Sequence, residues 1–168
     1  MNSSLHIKSV ELKKVIPKLY KNQQIFLTGK VYTARDAAHK KIHELICKNQ
    51  PLPINMDSAI IYYTGPTPTP PGMVVGSCGP TTSYRMDKYL PDLLKLGVIA
   101  TIGKGVRSEV AESLIKSYNA VYLTAVGGAG ALICKYVKSV KEVAFLNLGC
   151  ESIKELYVEE LPLVVAIV

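Results

Sequence analysis

Short runs of β-forming apolar residues alternate with stretches of helical period along most of this chain, and no other feature restricts its fold as much. "QQIFLTGKVYTA" (23–34) predicts one or two strands around Gly29. "RDAAHKKIHELICK" (35–48) carries apolar residues at 37, 38, 42, 45 and 46, a helical spacing. "SAIIYYTG" (58–65) reads as a buried strand and "MVVGS" (73–77) as a short one. "SYRMDKYLPDLLKLG" (83–97) predicts a helix ending at Gly97, kinked or split in two by Pro91. "VIATIG" (98–103) predicts a strand, "RSEVAESLIKSYN" (107–119) an amphipathic helix, "AVYLTAVGG" (120–128) a strand and "GALICKYVKSVKEV" (130–143) a helix. The remainder supplies two or three more strands. Such alternation defines the α/β class, with a mixed, mostly parallel sheet flanked by helices. A chain of 168 residues fits a single domain, residues 1–168, and can bury a real core.

The proline-rich "PTPTPPG" (66–72) cannot be helix or central strand and reads as a rigid surface loop. No apolar run approaches the ~20 residues of a membrane span. The opening "MNSSLHIKSVELKK" lacks the apolar core of a signal peptide, so a cytoplasmic location is expected. Cys47, Cys78, Cys134 and Cys150 lie far apart with no C-x-x-C pair, which predicts reduced thiols and argues against an autonomous zinc or iron–sulfur site.

The net charge is +7, almost all of it from 17 lysines against 3 arginines. The lysines are scattered, with only the pairs at 13–14 and 40–41 adjacent and no interleaved aromatics. That pattern predicts a solvated surface rather than a nucleic-acid face, with attraction of small anions second. The rarer arginines carry more information. Arg35, Arg85 and Arg107 each fall near a predicted strand-to-helix turn.

Two glycine-rich stretches fail as nucleotide signatures. "GVIATIGKG" (97–105) has five residues between its first glycine and Gly-Lys where a P-loop has four, and Gly105 follows Lys104 where Ser or Thr is required. What remains is either a lysine at a strand end where backbone can approach a ligand, or a tight turn with a solvated lysine. "VGGAGA" (126–131) does not complete G-x-G-x-x-G, leaving close helix–strand packing or an anion near a helix start. His39 and His43, four apart, can share one helix face, but H-E-x-x-H is absent and no third metal ligand is apparent.

"VVGSCGPTTSYRMD" (74–87) starts as strand and ends as helix, with Thr81, Thr82 and Ser83 at the junction and Arg85 just beyond. One reading is a helix cap by Thr82 or Ser83, without a capping box, since no Glu or Gln stands three residues on. The other is a receptor for a carboxylate or phosphate, with the arginine fork suited to a planar carboxylate. The two readings are compatible.

At these residues the chain resembles a known family. "IYYTGPTPTPPGMVVGSCGPTTSYRMDKYLPDLLKLGVIATIGKG" (61–105) is similar to the β subunit, or C-terminal domain, of iron–sulfur (class I) fumarate hydratases and the related L-tartrate dehydratases. The shared pattern runs approximately GPTP…PG…GS-x-GPTTS-x-RMD…P-x-LL…G…IGKG, and similarity extends over roughly residues 10 to 165. The resemblance implies a swivelling β/α domain that works with a separate α subunit, in a hetero-oligomer of two α and two β chains. It further implies a [4Fe–4S] cluster ligated by the α subunit and not by this chain, acting as Lewis acid in the reversible hydration of fumarate to (S)-malate.

By the same resemblance Arg35, Arg85 and Lys104, with Thr82 beside them, bind the substrate carboxylates. Thr81 is the candidate for moving the C3 proton, and Asp36 and His39 stand behind Arg35 and orient it. Position 84 is Tyr where the family commonly has Gly, which leaves the substrate more open than the reaction type. The alternatives are an L-tartrate dehydratase β subunit and a non-catalytic module that binds dicarboxylates or assists assembly.

Overall fold

The protein is described by a computed structural model covering residues 5–125 and 129–168. It is mixed α/β, with seven strands in one sheet: β1 Leu5–Lys8, β2 Gln24–Thr33, β3 Ile60–Tyr62, β4 Ala100–Gly103, β5 Val121–Thr124, β6 Val137–Ala144 and β7 Ile153–Ile167. The helices are α1 Leu12–Val15, α2 Asp36–Cys47, α3 Leu90–Lys95, α4 Glu109–Ser117 and α5 Gly130–Ile133. Neighbours β1–β2, β2–β3, β3–β4 and β4–β5 are parallel, while β7 lies antiparallel to β2, β5 and β6. Because β7 pairs with both β5 and β2, the hydrogen-bonded circuit β2–β3–β4–β5–β7 closes on itself. Closure removes sheet edges, leaving β1 and β6 outside the circuit.

Alternation along each strand sends side chains to opposite faces. Ile60 and Tyr62, Ala100 and Ile102, Val121 and Leu123 join β2 and β7 residues in one core cluster. Ile61 and Tyr63 face the other way, under Ala38 and Ile42 of α2. Tyr122 packs with Leu90, Leu94, Ala111 and Ile115 of α3 and α4. Strand 23–34 is a single strand that bends at Gly29, where φ is +132° and the β2–β7 register shifts. A Cβ at Gly29 would come within 2.1 Å of Ser9 Oγ, which instead accepts a hydrogen bond from Lys30 N at 3.1 Å.

Pro91 sits at the start of α3, which follows a 3₁₀ turn over Ser83–Tyr89, so the 83–97 segment is two short helices ending at Gly97. Three expectations fail. "MVVGS" is not a strand. Ser77 N and O bond to Thr67 of the proline loop at 2.8 and 3.0 Å, and Met73 and Val74 are half exposed with no apolar face to join. The helix expected over 130–143 stops after α5 and a 3₁₀ turn at Cys134–Tyr136. From Val137 onward β6 pairs with β7, so β-branched Val137, Val140 and Val143 follow tertiary pairing rather than helical period. The tail forms one 15-residue strand, β7, in place of two or three. Strand 120–128 is seen as Val121–Thr124, and residues 126–128 of the glycine stretch lie outside the described residues.

Candidate functional site

The hydroxyl-rich stretch is wedged between two parallel strands at their C-terminal ends. Thr81 N donates to Tyr63 O at 2.7 Å, Lys104 N donates to Thr81 O at 3.2 Å, and Ser83 N donates to Lys104 O at 3.0 Å. Thr82 and Lys104 thereby form a short parallel bridge beyond β3 and β4. Ala34 N donates to Tyr62 O at 3.0 Å, which brings the β2–α2 junction to the same rim. Arg35, Thr81, Thr82 and Lys104 thus follow the ends of adjacent parallel strands, the usual place for ligands in sheets of this kind. Neither expected cap forms: Thr82 makes no side-chain cap bond, and buried Ser83 Oγ accepts from Tyr122 Oη at 2.9 Å.

Arg85 reaches back to the first residue of α2. Its Nε and Nη2 donate to the two oxygens of Asp36 at 3.2 and 2.5 Å, a fork-to-fork pair. Burial opposes ionisation of Asp36, but the hydrogen bond and charge of Arg85 outweigh it and hold the carboxyl below its ordinary value. Asp36 therefore grips Arg85 rather than orienting the Arg35 guanidinium. Arg35 Nη2 lies 3.7 Å from Glu151, whose other oxygen accepts from Ala37 N at 2.8 Å and so caps α2. A Cβ on Gly65 would meet Arg35 Cδ at 2.9 Å and Cys150 O at 3.0 Å, so glycine there makes room for the arginine. Arg35 Nε is buried without a partner among the described residues, and exposed Lys104 has no carboxylate within ion-pair distance among them.

Beneath this rim lies a second, buried layer. Arg107 donates from Nε to Asp87 at 2.5 Å and from Nη1 to Thr101 Oγ1 at 3.2 Å. Its guanidinium carbon lies 5.0 and 5.5 Å from the ring centroids of Tyr122 and Tyr63. Asp87 also accepts from Ser108 N at 2.7 Å. His39 stands beside Tyr63 and Tyr89, with ring centroids 5.4 and 5.6 Å away. Its Nδ1–H donates to the Arg35 carbonyl at 2.7 Å, so it touches the Arg35 backbone and not the guanidinium. Burial pushes the imidazole down to about 4, so it is neutral at neutral pH.

An open cleft of about 490 Å³ lies at the Arg85–Asp36 pair, lined by Asp36, Tyr84, Arg85, Asp87, Lys88 and Ser108. Tyr84 is 60% exposed and lines it beside Arg85. Asp36 and Arg85 are thus brought together by side chains, and Thr81, Thr82 and Lys104 by backbone, while His39 lies below. Glu151, Asp87 and Tyr63 have roles that sequence reasoning missed. Glu151 acts on Ala37 from 114 positions away, with no local signal, whereas the tyrosine pair inside an apolar strand was a usable one.

The four cysteines do not converge. Cys47 is exposed at the far end of α2, Cys150 is exposed near Gly65, and Cys78 and Cys134 are buried. Burial, and then the neighbouring Cys134, push the Cys78 thiol up to about 12. Among the described residues no group of three or more His, Cys, Asp or Glu is arranged to hold a metal, so these residues do not fit an iron–sulfur cluster. No described helix is long and apolar enough to cross a membrane.

The closed, mostly parallel strand circuit thus carries arginine, lysine and threonine at its C-terminal rim. The "Fumarase C-terminus" family model matches residues 2–168, and the chain belongs to that family. It is 41% identical over 160 residues to a putative L(+)-tartrate dehydratase subunit beta of Methanocaldococcus jannaschii, covering 92% of this chain and 82% of that protein. It is 38% identical over 163 residues to fumarate hydratase 2 of Leishmania major, covering 91% of this chain and 28% of the relative. It is 38% identical over 142 residues to the anaerobic class I fumarate hydratase of Escherichia coli, covering 83% and 26%. The chain therefore spans only about a quarter of the fumarate hydratases it matches, but most of the tartrate dehydratase subunit.

Proposed function

We propose that this chain is the β part of a two-component hydro-lyase of the cytoplasm. It interconverts fumarate and (S)-malate together with an α subunit, in an assembly of two α and two β chains. The observation that carries the reading is the wedged segment Thr81–Ser83, which sets Thr81 and Thr82 against Lys104 on the rim where Arg35 and the Arg85–Asp36 pair also stand. A dicarboxylate carries two negative charges, and Arg85, Arg35 and Lys104 supply cations to neutralise and orient them. The exposed Lys104 ammonium, unpaired among the described residues, is a donor still available to a ligand.

Thr81 is the group proposed to move the C3 proton. A threonine hydroxyl is too weak a base alone at neutral pH, so the cations beside it must stabilise its alkoxide. In this reading a [4Fe–4S] cluster would be held by the α subunit and would supply Lewis acidity toward the substrate hydroxyl. The scattered cysteines and the protonated Cys78 thiol support placing it there. The relative matched over 82% of its own length is named a beta subunit, which supports the split into two chains.

The test is anaerobic mixing with the α partner while fumarate absorbance is followed. Activity that appears only in the mixture is expected, and an active complex indifferent to Arg85→Ala would overturn the site. A second reading, L-tartrate dehydratase β subunit, is favoured by the relative matched over 82% of its own length. Malate and tartrate supplied separately to one complex decide between them.

A further inference from the structure

At the opposite end of α2 from the rim, three side chains outside the proposed site stand in line. Cys47 Sγ lies 3.6 Å from His43 Nε2, and His43 Nδ1 lies 2.7 Å from Asp92 Oδ2 on α3. A carboxylate only accepts, so Nδ1 carries the imidazole hydrogen and Nε2 is left as acceptor for the thiol proton. A nucleophile, a base within reach of it and a third group orienting that base form the constellation that activates cysteine. The geometry is built by the fold: His43 and Cys47 are one helical turn apart, and α3 brings Asp92 from 49 positions away. The Tyr89 ring, 6.1 Å from the His43 ring, backs the imidazole, and the Lys88 ammonium sits over the same tyrosine.

We infer that Cys47 is an activated surface thiol and a site of reversible mixed-disulfide formation with small-molecule disulfides. Cys47 is the last residue of α2, where the helix dipole works against an anion, so loss of its proton depends on an acceptor. His43 Nε2 takes that proton, and the thiolate attacks one sulfur of R–S–S–R. A Cys47–S–S–R bond forms as the disulfide bond breaks, and the departing thiolate is reprotonated to R–SH. One disulfide is consumed and one formed, with no further oxidant. None of the three side chains lines either neighbouring hollow among the described residues, which fits a modification site and not a second hydrolytic centre. Charged groups around it are Asp92, Lys88, and Glu44 and Lys48 on its own helix; the last two line a hollow with Lys41 and Phe145. The distance from Asp36 to Cys47 along α2 is about 16 Å, so the inference stands apart from the hydratase reading.

The chain holds its own controls. Cys150 is exposed with no imidazole beside it among the described residues, and Cys78 and Cys134 are buried. The full chain is treated with the chromogenic disulfide dithiobis-nitrobenzoate at neutral pH, and modified peptides are located by mass spectrometry over time. Cys47 is expected to react first, about tenfold faster than Cys150, and His43→Gln and Asp92→Asn to slow Cys47 alone by about tenfold or less. Dithiothreitol restores the thiol. If His43→Gln fails to fold, Asp92→Asn carries the same expectation. Equal rates at Cys47 and Cys150, or a Cys47 rate untouched by both variants, overturn the inference.

Discussion

Two Arg–Asp pairs hang from one 3₁₀ turn, and they do different jobs. Arg85 and Asp87 are two residues apart on Ser83–Tyr89. Arg85 turns outward to Asp36, where both side chains remain more than 40% exposed. Asp87 turns inward to Arg107, whose side chain is fully buried between two tyrosine rings. The inner pair links the turn to β4, through Thr101, and to the start of α4, through Ser108 N. The outer pair faces an open cleft. Chemistry alone does not separate a structural arginine from a ligand-binding one. Burial and the number of partners do.

The sharpest way to break this comparison is to remove the inner arginine. Arg107→Ala removes a fully buried cation and leaves the Asp87 carboxylate, 11% exposed at the cleft, without its partner, and is expected to cost about 3 kcal/mol in chemical denaturation. A cost below ~1 kcal/mol would place the inner pair in the same class as exposed ones.

The buried layer has a second signature, from His39. Its folded pKa of about 4 lies below the ordinary imidazole value of 6.5. Between those values the unfolded chain takes up a proton that the folded chain refuses. Stability is therefore full above about pH 6.5 and falls as pH drops toward 4, by up to ~3 kcal/mol. His39→Phe should flatten that part of the stability–pH curve.

The outer pair should behave in the reverse sense. Arg85→Ala is expected to lower the rate of the reconstituted hydratase about 100-fold while changing stability by less than ~1 kcal/mol. Asp36 carries a smaller effect. Its folded pKa is depressed, so its contribution to stability is present above the usual carboxylate value of 3.8 and lost as pH falls through the folded one. The stability difference between wild type and Arg85→Ala should accordingly vanish in strong acid. Smallest of all is salt: raising ionic strength to about 1 M should erase what the outer pair contributes to stability and leave the inner one intact.

How much of this was legible in the sequence divides along the same line. Local period placed α2 and α4 and the strands around 25, 61, 101 and 122. Family resemblance brought Thr81, Arg85 and Lys104 together as candidates; backbone bonds join Thr81 to Lys104, and Arg85 pairs with Asp36. Composition treated the three arginines alike, because what distinguishes Arg107 is two tyrosines from different strands closing over it. The β6 segment misled because Val137, Val140 and Val143 fit a helical period as well as an edge strand, and β7 decided the matter from outside. Glu151 was invisible because its partners are a backbone amide and a guanidinium more than 100 positions earlier.

The closed circuit has a consequence for how the chain comes into being. Among the described residues β7 alone joins β5 to β2, and it lies C-terminal to the other strands. Until Ile153–Ile167 has left the ribosome, β2 and β5 each present an unsatisfied border and their shared core is open on one side. Folding of the ring is thus held back until β7 has been made and rests on pairings between residues as distant as Gln24 and Val164. Nascent chains stalled short of β7 should be protease-sensitive throughout β2–β5, then become protected together once that last strand emerges.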